Sequence, residues 1–144
     1  MKIQARGHKN VTAEHRSTLE ITKEENIGKK ADCIIALRAN YALKDFSEEI
    51  KDAVKSRKTK IELILHVGEY FEVVEGRGHP NLTYTDENSM VVRRSRFTCG
   101  RTLMVDSDKA ACNIDRKIVE LLKKEKPVEI TINIYPEFFN NPKK

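Results

Sequence analysis

The chain has 144 residues, 39% of them hydrophobic and 34% charged, which is enough apolar material for one core beneath a densely charged surface. Its 27 Lys and Arg residues outnumber its 22 Asp and Glu residues, and the net charge of +5 favours either an anionic partner or an ordinary solvated surface. Three cysteines lack the spacing of a disulfide scaffold, and no stretch is apolar and long enough for a signal peptide or a membrane span, so we expect a soluble cytoplasmic protein without a membrane partner.

The first feature in chain order is the phrase RGHKNVT at 6–12, which returns as RGHPNLT at 77–83 with five of seven positions identical. Gly7 and Gly78 permit either a positive φ or a close backbone approach. Guanidinium groups suit phosphate or carboxylate, and imidazoles titrate or bind ligands, so the phrases are candidates for anion binding near a symmetry axis. The anion-binding candidates here are Arg6, His8, Arg77 and His79. The alternative is a purely structural corner between a strand and a loop.

The rest of the first half predicts strands at 17–22, 33–37 and 61–67, with a helix between the last two. The helix shows one apolar stripe, formed by Phe46, Ile50, Ala53 and Val54. Asp45 is the predicted N-cap, and Glu48, three residues later, completes a pattern resembling a capping box.

The second half predicts strands at 70–75, 89–93, 102–105 and 128–134, with a helix before the last. The helical stripe repeats the spacing of the first, with Ile114, Ile118, Leu121 and Leu122 after the predicted N-cap Asn113. Proline and asparagine make residues 136–144 read as an irregular tail.

Corresponding features recur at offsets of 67 to 72 residues, which predicts one domain made of two repeats, about 4–69 and 70–135. Each repeat reads as an RGH loop followed by a β-β-α-β unit, and one such unit alone buries too little surface to fold. The predicted fold is therefore α+β: an internal duplication forming one pseudo-twofold mixed β-barrel or sandwich with two helices. We favour a closed or nearly closed barrel over an open sandwich with both helices on one face.

Four phrases resemble an archaeal family known as domain of unknown function 371. They are RGHKNVTAEHRSTLEIT, ADCIIALRANYA, SMVVRRSRFTCGRT and DSDKAACNIDR. The resemblance extends from about Gln4 to Ile134 and implies an archaeal source and a cytoplasmic protein, but no established activity. The family's Asp-Lys-Ala phrase matches at 108–110, whereas Asn-Tyr-Ala stands at 40–42. This difference implies one working site, in the second half.

Two further groups in the second half are candidates for a site. Four arginines lie in the arginine segment, residues 93–101, and a strand there would turn Arg94 and Arg96 to one face, with Phe97 available for stacking. Arg101 is a further anion-binding candidate. The alternative for the segment is an edge strand kept from aggregating by charge.

The strand-to-helix junction at 106–109 collects carboxylates and a lysine. His79, Asp108 and Lys109 are the candidate catalytic residues, with Asp108 as a general base or metal ligand and Lys109 as a phosphate partner. The alternative for this junction is helix capping beside an exposed lysine. The four histidines are scattered, and no CxxC, HExxH, P-loop or Rossmann spacing occurs, so we expect neither a metal nor a cofactor.

Three functions remain open on the sequence. The first is a binding module for an anionic partner such as RNA or another nucleic acid, favoured by the net charge and the arginine segment. The second is a small enzyme acting on a phosphorylated metabolite or nucleotide through Arg77, His79, Asp108 and Lys109. The third is a structural homo-oligomer assembled through exposed strands. Whether the protein is an enzyme at all is undecided by the sequence.

Overall fold

A computed structural model describes residues 1–136 as a mixed α+β fold with two four-stranded sheets and two short helices. The strands are β1 Lys2–Arg6, β2 Thr18–Thr22, β3 Ile34–Ala36, β4 Lys60–Val67, β5 Tyr70–Arg77, β6 Ser89–Arg93, β7 Thr102–Met104 and β8 Pro127–Tyr135. The helices are α1 Glu48–Ala53 and α2 Arg116–Lys123, each preceded by a 3₁₀ turn. The predicted irregular tail, 136–144, lies outside the described residues apart from Pro136.

The strands form two sheets rather than the closed barrel that the sequence favoured. Sheet A has the order β1-β8-β4-β5 and is antiparallel throughout. Sheet B has the order β3-β2-β6-β7, with an antiparallel central pair and a parallel strand on each side. Within residues 1–136 the sheets are bridged at two single residue pairs, Arg6 with Leu37 and Arg77 with Val105. Because each contact is one residue pair long, the ladder breaks at both edges.

Each half contains one strand more than the predicted β-β-α-β unit. The sequence pattern predicted a loop at the start of the chain, but Lys2–Arg6 forms β1, in which Ile3 and Ala5 are buried and alternate with exposed polar residues. Five residues with only two apolar positions give a weak period-two signal, and this strand was therefore missed. In the second half the predicted strand at 70–75 extends to Arg77.

The apolar stripes of both helices are confirmed, but the predicted N-caps are wrong by two residues. Ser47 caps α1 and Asp115 caps α2, each accepting from a first-turn amide. Asp45 and Asn113 instead accept backward, from the amides of the residues three positions earlier, at 3.0 and 2.9 Å. These bonds close the 3₁₀ turns, so the capping box with Glu48 does not form.

The hydrophobic core lies between the two sheets and includes the apolar faces of the helices. On sheet A the buried, inward-facing residues alternate with residues that are partly exposed to solvent, as in β4, where Ile61, Leu63 and Leu65 are fully buried. Tyr84 is also fully buried, and its hydroxyl donates to the Leu103 carbonyl at 2.7 Å. Burial raises the pKa of the Tyr84 phenol far above its usual value, so this hydroxyl remains a donor. None of the helices within residues 1–136 is long and apolar enough to cross a membrane.

The two repeated glycines allow the strand ends to approach the helix C-termini closely. A Cβ on Gly7 would lie 2.1 Å from the Leu122 carbonyl oxygen, and one on Gly78 would lie 2.2 Å from that of Val54. Neither glycine has a positive φ. The Gly7 amide donates at 3.0 Å to the carbonyl of Lys126, a residue in the second half of the chain. Of the two roles predicted for these glycines, the structure therefore uses close approach.

Replacing Gly7 by Ala should destabilise the fold by about 3 kcal/mol or more, because the new methyl group overlaps backbone that cannot move alone. Gly28→Ala is the matched control, since a methyl group added there would meet nothing within 4 Å; it should change the free energy of unfolding by less than about 0.5 kcal/mol. Urea denaturation measures both. Equal stabilities of the two variants would show that the contact at Gly7 is not a constraint.

Candidate functional site

The RGH phrases form two tight turns with the same internal hydrogen bonds. In the first, the amide of Asn10 donates to Nδ1 of His8 at 3.0 Å; in the second, the amide of Asn81 donates to Nδ1 of His79 at 3.0 Å. Both histidines are nearly buried. Because Nδ1 of His8 accepts, the proton of its neutral ring is assigned to Nε2, which becomes a donor. Nε2 of His79 instead faces the Arg57 guanidinium, a group that only donates. Both imidazoles therefore organise their turns through Nδ1, and of the two, His8 keeps a ring N–H for a ligand.

The two phrases do not meet at an axis. Arg6 pairs with Pro127 at one end of β8, whereas Arg77 pairs with Lys60, which pairs in turn with Tyr135 at the other end. They also lie on opposite edges of sheet A. From strand rise and spacing, the two arginines are about 30 Å apart. Arg6 with His8 and Arg77 with His79 are thus separate candidate sites.

A polar cleft of about 290 Å³ lies beside the first RGH turn. Its lining residues are Arg6, Gly7, His8, Lys9, Glu25, Asn26, Leu37, Arg38 and Glu125. We call it the first cleft. Three cationic side chains face two carboxylates there, which leaves an excess of positive charge. Arg38 has a φ of 55°, a left-handed conformation that costs an arginine roughly 1–2 kcal/mol.

A second cleft, of about 200 Å³, lies beside the end of β5. Its lining residues are Lys60, Glu75, Gly76, Arg77, Asp106 and Asp108. Three carboxylates face two cations, so its balance is opposite to that of the first cleft. Asp106 has a φ of 51° and follows the bridge residue Val105, as Arg38 follows the bridge residue Leu37. The two clefts thus have similar backbone frames and opposite charge.

The candidate catalytic residues are not brought into one group. Asp108 lines the second cleft, and its Oδ1 accepts from the Glu75 amide at 3.0 Å. Lys109 instead pairs with Glu72 at 2.6 Å and donates to the Val73 carbonyl. His79 does not line the cleft. Its Nε2 lies 3.4 Å from a guanidinium nitrogen of Arg57. The contacts of Asp108 and Lys109 attach the 106–109 junction to the edge of β5.

β6 covers Ser89–Arg93, the strand that the sequence predicted, and the rest of the arginine segment is a loop. Arg94 and Arg96 therefore do not share the face of a strand. Beyond Arg93 the chain leaves sheet B. The backbone amides of Asp106 and Ser107 donate to the carbonyls of Ser95 and Arg93 at this point. Arg94 and Arg96 are nevertheless both exposed. Arg101 is exposed as well, but its carbonyl accepts from Val91, which places it about 10 Å from Arg94 along the strand direction.

Phe97 projects from this loop with 60% of its surface exposed. The guanidinium of Arg93 lies over the ring, 4.8 Å from its centre. Arg93 is fixed from below, since its Nε donates to the Thr102 hydroxyl at 2.9 Å. Phe97 therefore already stacks with Arg93 of the same segment. The part of its ring that is directed to solvent remains accessible to a further partner.

Cys99 lies under this arginine. Partial burial raises the pKa of its thiol, but the Arg101 amide, the Thr102 hydroxyl and the Arg93 guanidinium together outweigh burial and lower it. The pKa of the Cys33 thiol is shifted in the other direction, because burial and the nearby Glu20 carboxylate raise it. All three cysteines are free thiols.

Three residues near these sites were not predicted from the sequence. Arg38 and Lys9 line the first cleft, and Arg16 is an exposed neighbour of Ser17, whose carbonyl accepts from the Arg94 amide. Of these three residues, only Lys9 could have been noticed in the sequence, because it stands where the second RGH phrase has Pro80. Nothing in the sequence marks a left-handed arginine. Within residues 1–136, no group of three or more His, Cys, Asp or Glu side chains is placed to bind a metal ion.

Comparison with known proteins gives a consistent family match. The family model described as domain of unknown function (DUF371) matches residues 3–135. The chain is also similar to an uncharacterized protein of Methanocaldococcus jannaschii, with 42% identity over 124 residues, covering 86% of this chain and 91% of the relative. The family match covers both clefts and the arginine segment.

Alkylation should distinguish Cys99 from Cys33, because the thiolate is the reacting form. We expect Cys99 to react faster at neutral pH, with a pH profile displaced below that of an ordinary thiol, and Cys33 to be displaced above it. Both side chains are partly exposed, and Cys33 is the more buried of the two, so the opposite displacements of the two pH profiles, rather than the rates at one pH, distinguish the thiols. Peptide mapping after timed iodoacetamide treatment measures each rate.

Arg93→Ala should slow the reaction of Cys99, while Arg94→Ala, a change on the same segment without contact to the thiol, should not. Equal slowing by both variants would mean that the general charge of the segment, rather than the Arg93 contact, controls Cys99.

Proposed function

We propose that this chain, which belongs to the family described as domain of unknown function (DUF371), is a binding module for single-stranded nucleic acid, and for RNA in particular. The family membership confirms the resemblance drawn from the sequence, and it brings no activity with it. The observation that carries the proposal is the exposed Phe97 ring supported by Arg93.

An exposed aromatic ring suits an unpaired base better than it suits solvent. Base stacking on such a ring contributes about 1–3 kcal/mol and requires no particular base. The Arg93 guanidinium fixes the position of Phe97, so little rotamer entropy is lost when a base stacks. A ring held on a loop also reaches bases of a single strand more easily than those inside a duplex.

Two further arginines of the arginine segment, Arg94 and Arg96, supply positive charge close to Phe97 along the chain. Arg94 is exposed and lies beside the Arg16–Ser17 turn, since its amide donates to the Ser17 carbonyl at 3.0 Å. The Nε of Arg96 contacts both carboxylate oxygens of Asp106 at 3.1 Å, an exposed pair of small net stability. Arg96 can therefore exchange the Asp106 carboxylate for a phosphate group at little cost in free energy.

The described elements also support an internal duplication with a pseudo-twofold axis, which we include in the proposal. Both halves, about 4–69 and 70–135, follow the order of three strands, a 3₁₀ turn, a helix and a strand. Left-handed residues recur at matching places, Ala13 with Tyr84 and Arg38 with Asp106. A single domain would then contain two copies of one backbone frame, of which the second alone carries the arginine segment.

The alternative of an enzyme acting on a phosphorylated metabolite through Arg77, His79, Asp108 and Lys109 is less favoured. The second cleft has an excess of carboxylates that would repel phosphate, and Lys109 is engaged by Glu72. A cytoplasmic location is part of the proposal, since the positive surface would meet RNA there.

Alanine at both Arg94 and Arg96 should weaken binding of a single-stranded RNA oligonucleotide and reduce the slope of log K against log salt by about 1.4, at about 0.7 per lost phosphate contact. Phe97→Ala should weaken binding roughly 5- to 150-fold and leave the slope unchanged, because stacking releases no counterions. Fluorescence anisotropy at several salt concentrations separates the two effects.

The double variant Lys29→Ala/Lys30→Ala is the matched control, because it also removes two exposed positive charges. It should retain nearly the affinity of the natural chain. The proposal is wrong if the natural chain binds no single strand at low salt, or if the lysine variant loses as much affinity as the arginine variant.

A homo-oligomer is the second candidate, favoured by the exposed edge strand β5. Phe71 is 64% exposed and stacks on His66, with ring centres 4.3 Å apart, and Val73 lies beside it, also exposed. The segment 105–109 covers the edge of β5 at Val73, Glu75 and Arg77. The edge beside Phe71 is therefore a surface on which a second copy could add a strand.

This candidate predicts a dimeric mass in light scattering that Phe71→Glu converts to a monomeric one, because the carboxylate places charge in the shared apolar contact. Tyr41→Glu is the control, since Tyr41 is exposed and follows Asn40, whose amide donates to Gln4 of β1, the opposite edge strand of sheet A from β5. A monomeric mass for the natural chain at all concentrations would exclude this assembly.

A further inference from the structure

We propose that the first cleft binds a small metabolite carrying a phosphate group, at a site separate from the arginine segment. The cleft lies between the first RGH turn, residues 25–26, the turn at Arg38 and the end of α2. This goes beyond the proposed nucleic-acid function, because a cleft and an exposed loop select ligands of different size.

The cleft walls are held by backbone hydrogen bonds and do not need a ligand to form. Arg6 and Leu37 exchange two backbone bonds of 2.8 and 2.7 Å, which join the RGH turn to the turn at Arg38. The side-chain amide of Asn10 donates to the Ile27 carbonyl at 2.8 Å and fixes the opposite loop. Such a frame loses little conformational entropy when a ligand enters.

Donors from four side chains line this frame. The Nε2 of His8 carries the ring proton, because Nδ1 already accepts from the Asn10 amide. One Nη of Arg6 donates to the Glu125 carbonyl at 3.0 Å, and this single bond leaves its remaining N–H groups for an anion. Lys9 and Arg38 add a further ammonium and guanidinium. Together they match the several oxygens and the charge of a phosphate group better than a single carboxylate.

Arg38 is the most informative of these residues because its backbone is strained. With a φ of 55°, the position suits Gly or Asn better than arginine. Asp106 has nearly the same φ at the matching place beside the second cleft, so the backbone frame itself does not require a guanidinium. What arginine adds at 38 is a cation at the mouth of the cleft.

The two carboxylates do not close the site to an anion. Glu25 lies 3.8 Å from Arg38, and its side chain is 74% exposed, so the pair is loose and readily exchanged. Glu125 is exposed, and its contact with Arg6 is made by the main-chain carbonyl rather than the carboxylate. A phosphate group would displace Glu25 and take Arg38 as its partner.

The size of the cleft selects a small ligand. A volume of about 290 Å³ lies just below the range for small-molecule sites, roughly 300–1,000 Å³. A phosphate group with a few attached atoms fits, whereas a polynucleotide must follow an open surface.

Titration calorimetry with inorganic pyrophosphate at constant ionic strength tests the site. The natural chain should bind one equivalent, and acetate should not bind. Arg38→Gly should raise the Kd roughly tenfold or more, as expected for a lost charge-assisted bond. Because glycine relieves the left-handed strain, the same variant should keep or increase its Tm without ligand. Lys9→Ala, a change of an exposed side chain, should raise the Kd about threefold.

Lys30→Ala removes one exposed positive charge outside the cleft and should leave the Kd within about twofold. The site is excluded if the natural chain does not bind pyrophosphate, if acetate binds equally well, or if Arg38→Gly and Lys30→Ala behave alike. The variant Arg94→Ala/Arg96→Ala separates the two proposals. It should lose RNA and keep pyrophosphate, and a loss of pyrophosphate there would assign the anion to the arginine segment instead.

Discussion

The close approach of Gly7 and Gly78 to the ends of the two helices is the constraint on which the rest of the fold depends. Each glycine lies at the end of an edge strand of sheet A and contacts the helix of the other half, Gly7 at Leu122 and Gly78 at Val54. Because a methyl group does not fit at either place, these contacts fix the distance between strand end and helix end. These contacts also join the first half of the chain to the second.

Much of the fold was predictable because its signals are local. The period-two alternation of β4 and β8 and the apolar stripes of α1 and α2 predicted these elements within a few residues. The capping residues were not predictable, because Asp45 and Asn113 have the right chemistry for a cap but accept from amides of a 3₁₀ turn instead. Only the tertiary structure decides which nearby amide such a side chain accepts from.

The candidate site was less predictable than the fold, for a reason visible at the two histidines. The repeated RGH phrase suggested a shared site, but antiparallel pairing places its copies at opposite corners of sheet A. What distinguishes the corners is the residue after each bridge, Arg38 in one and Asp106 in the other, both with a left-handed backbone. A single sequence does not reveal that Arg38 and Asp106 adopt this conformation beside a cleft. The charge of each cleft depends on which of these residues it contains.

The position of Asp106 connects the two charged regions of the second half. Its carboxylate lines the second cleft and also accepts from Nε of Arg96. The same group therefore adds negative charge to the second cleft and orients an arginine of the exposed loop. Since this pair lowers the positive potential beside Phe97, charge alone selects less strongly there than it would with unpaired arginines. On the proposed functions, selectivity in the arginine segment would then come largely from stacking on Phe97, whereas in the first cleft, where Arg38 stands in place of Asp106, it would come from charge.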